Sequence, residues 1–273
     1  MSSRLLETAV AAARAGGEAV LARWRSLPEG SVSEKRQNDY VTLADRESEK
    51  RVIGTIRDAF PDDGFLAEEG GGAGESAGAE RVWIIDPLDG TSNFIAGFPF
   101  WCVSVAAREK GELVAGVVWD PLRGELYAAE RGGGAFRDGR RLAVAARDDV
   151  DGAFLATGFP FRSREQIDVY LSLFRALFLR ARAIRRAGSA ALDLANVAAG
   201  VFDGFFEFRL SAWDIAAGAV LIEEAGGELT DFGGGGRYLE RGNVVAGSPG
   251  VARGIRRVAA EILTEESLAA AHS

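Results

Sequence analysis

The chain of 273 residues holds one cysteine, Cys102, and one histidine, His272. A single cysteine excludes an internal disulfide and fits a reducing, cytoplasmic setting. Cys102 reads as a small buried hydrophobe rather than a nucleophile. His272 lies in the C-terminal tail, where fraying is expected. Ser-His-Asp, Cys-His and His-ligated zinc chemistry are therefore excluded together. What remains for catalysis is carboxylates, hydroxyls, amines and metals. No apolar run reaches transmembrane length. The N-terminus lacks the apolar core of a signal peptide, since Arg14 interrupts the Ala-rich run from Ala9 to Ala15. No membrane partner is expected. Excess positive charge is also missing: the net charge of −8 argues against nucleic acid as the main partner. It leaves a phosphorylated small molecule open, because bound metal inverts a local field. The glycine-rich run from Gly70 to Gly74 has no lysine in phosphate-loop spacing, so it reads as a surface loop or lid rather than a nucleotide cradle.

What is present centres on one stretch, Trp83-Ile84-Ile85-Asp86-Pro87-Leu88-Asp89-Gly90-Thr91-Ser92-Asn93-Phe94. Val82 to Ile85 reads as a buried strand, and Pro87, with no N–H, is expected to stop it at Asp86. Asp89-Gly90 is a turn signal. Two carboxylates three residues apart on a tight turn repel each other, and a divalent cation removes the conflict. Oxygen ligands suit Mg²⁺ or Mn²⁺ rather than zinc. Taken alone, the same residues could be only a polar turn.

Other acids stand in comparable places. Thr42 is a good N-cap with Asp45 three residues on, opening a helix from about Leu43 to Phe60 that Pro61 ends. Phe65 to Ala67 is a short strand running into Glu68-Glu69. Asp214 leads a helix to Ala225, closed by Gly226-Gly227. Asp45 and Asp214 each have a plain alternative role, as first-turn acids that favour the helix dipole.

Between these points, Leu5 to Trp24 reads as an amphipathic helix and Val32 to Val41 as a hairpin or loop. Strands Trp101 to Ala107, Leu113 to Trp119 and Glu125 to Ala129 suggest an antiparallel meander, with turns at 132–136 and 137–140. The polar, acidic stretch near 140–152 suggests a division into halves 1–145 and 146–273, the first with most candidate ligands and the second with Asp214. The second half reads as a strand from Ala153 to Thr157, then a helix from Arg164 to Ala181 with Ile167, Leu171, Phe174 and Phe178 inward. Ala183 to Arg186 is a short strand, and Gly188-Ser189-Ala190 opens a helix to about Ala199. Such a start exposes N–H groups that can hold phosphate, though it is more often only a cap. Val201 to Phe208, Glu228 to Thr230 and Val244 to Ala246 read as strands, and Val251 to Leu263 as the last helix.

Four blocks, at Asp39 to Asp45, Glu68 to Gly70, Trp83 to Phe94 and Trp213 to Gly227, together resemble the inositol monophosphatase family. The resemblance covers nearly the whole chain. It implies an α/β (α+β) fold, a layered α-β-α-β-α sandwich of the sugar/inositol phosphatase type. It implies a phosphomonoesterase acting on inositol monophosphate, or a similar polyol or sugar phosphate, by direct attack of a Mg²⁺-activated water. Glu68, Asp86 and the Leu88 carbonyl would hold one metal, Asp86, Asp89 and Asp214 a second, and Glu68 would help with a third. Thr91, with Glu68 or Asp45, would orient the attacking water. Gly90 and Thr91 would hold the phosphate, with Ser189, Ala190, Glu207 and Asp214 around the sugar or inositol ring. Two or three Mg²⁺ per site, Mn²⁺ as substitute, lithium sensitivity and a homodimer are further implications. Fructose 1,6-bisphosphate, histidinol phosphate and nucleotide 3′-phosphates are substrates within the wider superfamily, and some bacterial relatives act with the transcription machinery. A haloacid-dehalogenase site would need Asp-x-Asp spacing, whereas Asp86 and Asp89 stand three apart with Pro87 between.

Overall fold

The computed structural model describes residues 3–28, 30–36, 39–70, 78–161 and 164–264. The glycine-rich stretch read as a lid and the tail with His272 fall largely or wholly outside them. Helix α1 (Arg4–Arg23) starts where the Ser3 side chain accepts from the Leu6 N–H. The hairpin β1 (Val32–Arg36) and β2 (Asp39–Thr42) leads into α2 (Leu43–Ala59). There follow β3 (Gly64–Ala67), β4 (Arg81–Asp89), the short α3 (Thr91–Ala96), β5 (Cys102–Glu109), β6 (Glu112–Asp120), β7 (Glu125–Glu130), β8 (Gly134–Arg137) and β9 (Arg140–Arg141). The later elements are β10 (Phe154–Thr157), α4 (Ile167–Phe178), β11 (Ala183–Arg185), α5 (Ala190–Ala198), β12 (Gly204–Glu207), α6 (Ala212–Glu224), β13 (Glu228–Thr230), α7 (Tyr238–Arg241), β14 (Val244–Gly247) and α8 (Pro249–Ala260).

Two sheets organise the chain. The first has seven strands in sequence order from β3 to β9; the second has five, ordered β11-β10-β12-β14-β13. Only β3 and β4 run parallel in the first sheet, and the rest form the expected meander. Helices α1 and α2 cover one face of the first sheet, and α6, with α5 against it, covers the other. The pair α5 and α6 also meets the second sheet, whose outer face carries α4 and α8. The result is the five-layer α-β-α-β-α arrangement. Ala-rich α5 and α6 are buried along most of their length because both their faces are covered.

The structure departs from the sequence reading at several points. Strand β4 does not stop at Asp86 but runs to Asp89. Asp86 pairs with Ser104 and Asp89 with Cys102, so the register shifts between them. Pro87, which has no N–H to give, sits in that interruption, as a bulge allows. The segments read as turns at 132–140 hold β8 and β9, with the chain reversing between them at Asp138-Gly139. Strand β12 begins at Gly204 rather than Val201. The inward face of α4 is also different. Tyr170, Leu173 and Leu177 are buried, whereas Ile167, Leu171 and Phe178 are 38%, 46% and 58% exposed. The helix carries two apolar stripes, and the sheet selects the one with Tyr170. That ring stacks on Phe206 of β12 and its hydroxyl lies 2.9 Å from the Thr157 hydroxyl of β10.

Candidate active site

Three carboxylates from three places in the chain meet at one point. Asp86 and Asp89 come from the interrupted end of β4, and Asp214 from the first turn of α6. Their ligand oxygens lie within 4.8 Å of one another, and all three side chains are buried. The Asp86 carboxyl is pushed well above its ordinary range by burial and then by the charges of Glu68, Asp89 and Asp214. Asp89 rises to about 7, through burial and the charge of Asp214. Burial first, and the neighbouring charges after it, make Asp86 and Asp89 resist ionisation. An all-oxygen, mutually repelling set of this kind fits a hard divalent cation.

Each acid is held by fixed donors. Asp86 Oδ1 accepts from the Leu88 N–H at 3.0 Å. Asp89 Oδ2 accepts from the Ser189 hydroxyl at 2.6 Å and the Ala191 N–H at 2.7 Å. The Cys102 thiol lies 4.0 Å from the same oxygen. Asp214 Oδ2 accepts from the Ser211 N–H at 2.7 Å, so the first-turn cap and a place in the cluster coexist in one side chain. Glu68 follows β3, is half-buried, and lines the same pocket.

A second constellation stands beside the first. Thr42 and Asp45 form the expected capping box of α2. Asp45 Oδ2 accepts from the Thr42 N–H at 2.8 Å and from the Thr42 hydroxyl at 2.5 Å. Its other oxygen lies 3.0 Å from the Thr91 hydroxyl, which is equally 3.0 Å from the Leu88 carbonyl. Burial raises Asp45 against the pull of these hydrogen bonds. Gly90 precedes Thr91 at φ +100°, a conformation side chains rarely adopt, and a Cβ there would meet the Phe100 carbonyl oxygen at 3.0 Å. No side chain caps α3, and Gly90, Thr91, Ser92 and Asn93 all line the pocket.

The opposite wall comes from the second sheet and α5. Ser189 and Ala190 are buried, and Glu207 is half-buried at the end of β12. Ser189 turns its hydroxyl to Asp89 and caps α5 by accepting from Leu192 N–H at 3.4 Å. The Glu207 carboxylate packs on Gly158, where a Cβ would fall 2.0 Å from Glu207 Oε1. Arg186 lies over the Phe159 and Phe161 rings at the pocket edge. All eleven residues expected at the site, Asp45 and Leu88 included, thus converge on this pocket or on a side chain lining it.

Several supporting residues were not read from the sequence. Ser48 and Glu49 stand three and four residues after Asp45 on the buried face of α2. Ser48 donates to the Pro87 carbonyl at 2.8 Å, and Glu49 accepts from the Glu69 N–H at 2.8 Å. Polar residues at helical spacing on an apolar face were the available signal. Asn93 donates to the carbonyls of Phe100 and Ala187 at 2.7 and 3.0 Å, joining α3 to the approach to α5. Asp193 and Arg186 gave no local signal.

A model of the inositol monophosphatase family matches residues 1–268. The "Nus factor SuhB" of Pseudomonas aeruginosa is 49% identical over 249 residues, spanning 89% of this chain and 91% of that protein. The "Inositol-1-monophosphatase" of Rhizobium meliloti is 46% identical over 256 residues, spanning 94% and 96%. Among solved structures, the extragenic suppressor protein suhB from Bartonella henselae superimposes with a TM-score of 0.91 at 39% identity, over 96% of this chain and all of that one.

Proposed function

The chain belongs to the inositol monophosphatase family, and from that premise we propose that it is a Mg²⁺-dependent phosphomonoesterase acting on inositol monophosphate or a similar polyol phosphate. The observation that carries this reading is the meeting of Asp86, Asp89 and Asp214 beside the open start of α3. Asp86, Asp89, Asp214, Glu68 and the Leu88 carbonyl would hold the metals. Bound Mg²⁺, or Mn²⁺ in its place, supplies Lewis acidity that lowers the pKa of water and offsets charge on the phosphoryl group. The remaining work falls to the chain. Thr91 and Asp45 orient the attacking water, since the Thr91 hydroxyl donates to Asp45 and its oxygen is left to accept from water. The N–H groups following Gly90 bind the phosphate oxygens. Ser189 and Ala191 fix Asp89 in position. Glu207, on its glycine seat, meets the alcohol half.

Phosphate release from a panel of phosphomonoesters, with and without Mg²⁺, tests the reading. The panel includes inositol 1-phosphate, fructose 1,6-bisphosphate, histidinol phosphate and a nucleotide 3′-phosphate. Metal-dependent release that is lost in Asp89→Asn and inhibited by Li⁺ is expected. Full activity in excess chelator overturns it. A second reading, docking to the transcription machinery, has the name of the Pseudomonas relative in its favour. Capture of transcription factors by both wild type and Asp89→Asn would support it alongside phosphatase activity.

A homodimer belongs to the same proposal. The exposed stripe of Ile167, Leu171 and Phe178 on α4 is an apolar face for a second copy. Exposed Asp168 near its start and Arg175 near its end would bring opposite charges together across an antiparallel two-fold pair.

A further inference from the structure

One buried acid in the pocket has no part in the chemistry so far described. Asp193 lies in the first turn of α5, is 1% exposed, and lines the same pocket as the metal-ligand candidates. It is not one of the three acids whose oxygens cluster. Its ordinary role would be to serve the helix start. That role is taken: Leu192 N–H goes to the Ser189 hydroxyl, Ala191 N–H to Asp89, and the N–H of Asp193 itself to the Ser189 carbonyl at 3.0 Å. Asp193 Oδ1 is left buried with no hydrogen-bond partner among the described residues. A buried polar atom without a partner costs stability, so a carboxyl kept there points to a ligand that completes it. Burial raises Asp193 well above its usual range, helped by the charges of Glu207 and Asp89 and opposed by Arg186. Its strongest charged neighbour is thus Glu207, the acid on the alcohol wall.

We infer that Asp193 is a specificity-determining residue that, with Glu207, takes adjacent hydroxyl groups of the leaving alcohol, so that the site favours a cyclic polyol phosphate over a simple aryl or alkyl phosphate. The inference rests on the phosphatase reading above. Two carboxyl groups on one wall, at least one of them favoured in its protonated form, supply both an acceptor and a donor to a vicinal diol. A site built to bond hydroxyls discriminates strongly against an analogue that lacks them, because its own buried groups are then left unpaired.

The test compares kcat/KM on inositol 1-phosphate and on 4-nitrophenyl phosphate for wild type, D193A and D193N, with the melting temperature of each metal-free protein. In D193A the ratio of the two kcat/KM values should fall about tenfold or more, mainly through KM for the polyol ester. D193N, which keeps an acceptor oxygen, should lie between. The melting temperature of both variants should equal or exceed that of wild type, since an unpartnered buried carboxyl contributes nothing to the fold. A wild type active on both esters with an unchanged ratio in both variants overturns the inference alone. So does a parallel loss on both esters with a lowered melting temperature, or a D193A that does not fold beside a D193N with the wild-type ratio. A wild type that releases phosphate from neither ester overturns the phosphatase reading beneath it.

Discussion

At the residue scale the site depends on side chains that each satisfy two demands. Thr91 is the clearest case. Its hydroxyl lies 3.0 Å from both Asp45 Oδ1 and the Leu88 carbonyl, and one proton cannot serve both fully. A cation on the Leu88 carbonyl would commit the proton to Asp45 and leave the hydroxyl oxygen to accept from water. Thr91→Val keeps the shape and removes the hydroxyl. It should lower kcat by about 10²-fold or more, the usual range for a positioned proton acceptor, with little change in melting temperature. Thr91→Ser should retain most of the activity. Steady-state kinetics on both variants checks this, and a Thr91→Val enzyme of wild-type rate would remove Thr91 from the mechanism.

At the element scale, helix α4 shows how packing chooses between faces. Both of its stripes are apolar, and the one with Tyr170 faces the sheet because Phe206 and Thr157 complement it. The other leaves Phe178 58% exposed at the end of the helix. If a second copy covers this face, Phe178→Glu places two charges in the interface and should shift sedimentation from dimer to monomer. The fold should persist, because the position is open to solvent in the single chain. A wild type that sediments only as monomer at working concentration would refute the pairing.

At the scale of the whole molecule, the buried acids couple stability to pH and metal. Asp89 has a folded pKa of about 7 against an ordinary value of 3.8, and Asp86 and Asp193 are shifted in the same direction. The folded state therefore binds protons that the unfolded state has released. Stability from these groups is fully present below about pH 4, and is lost as pH rises through the folded values. The metal-free protein should melt at progressively lower temperature between pH 5 and 8. Added Mg²⁺ should restore stability more at pH 8 than at pH 5, because it binds the ionised acids. Thermal scans over that range, with chelator and with Mg²⁺, measure both effects. A metal-free melting temperature that rises steadily to pH 8 would contradict the assignment.

Much of the site was legible in the sequence because its signals are local. The cap at Thr42 and Asp45, the turn at Asp89-Gly90 and the first-turn acid Asp214 follow from short-range backbone rules. The meander from β5 to β7 was equally local, each strand joined to the next by a turn. Three things required the tertiary structure. The end of β4 is set by its pairing with β5, since a bulge admits Pro87 where an isolated strand would stop. The buried face of α4 is set by what the second sheet presents to it. The roles of Ser189 and Asp193 depend on α5 arriving beside Asp89, about a hundred residues away in the chain. Residue types and spacing determined which groups can bear this chemistry. Only the packing of the two sheets around α5 and α6 decided which of them meet, because no local rule reaches across that distance.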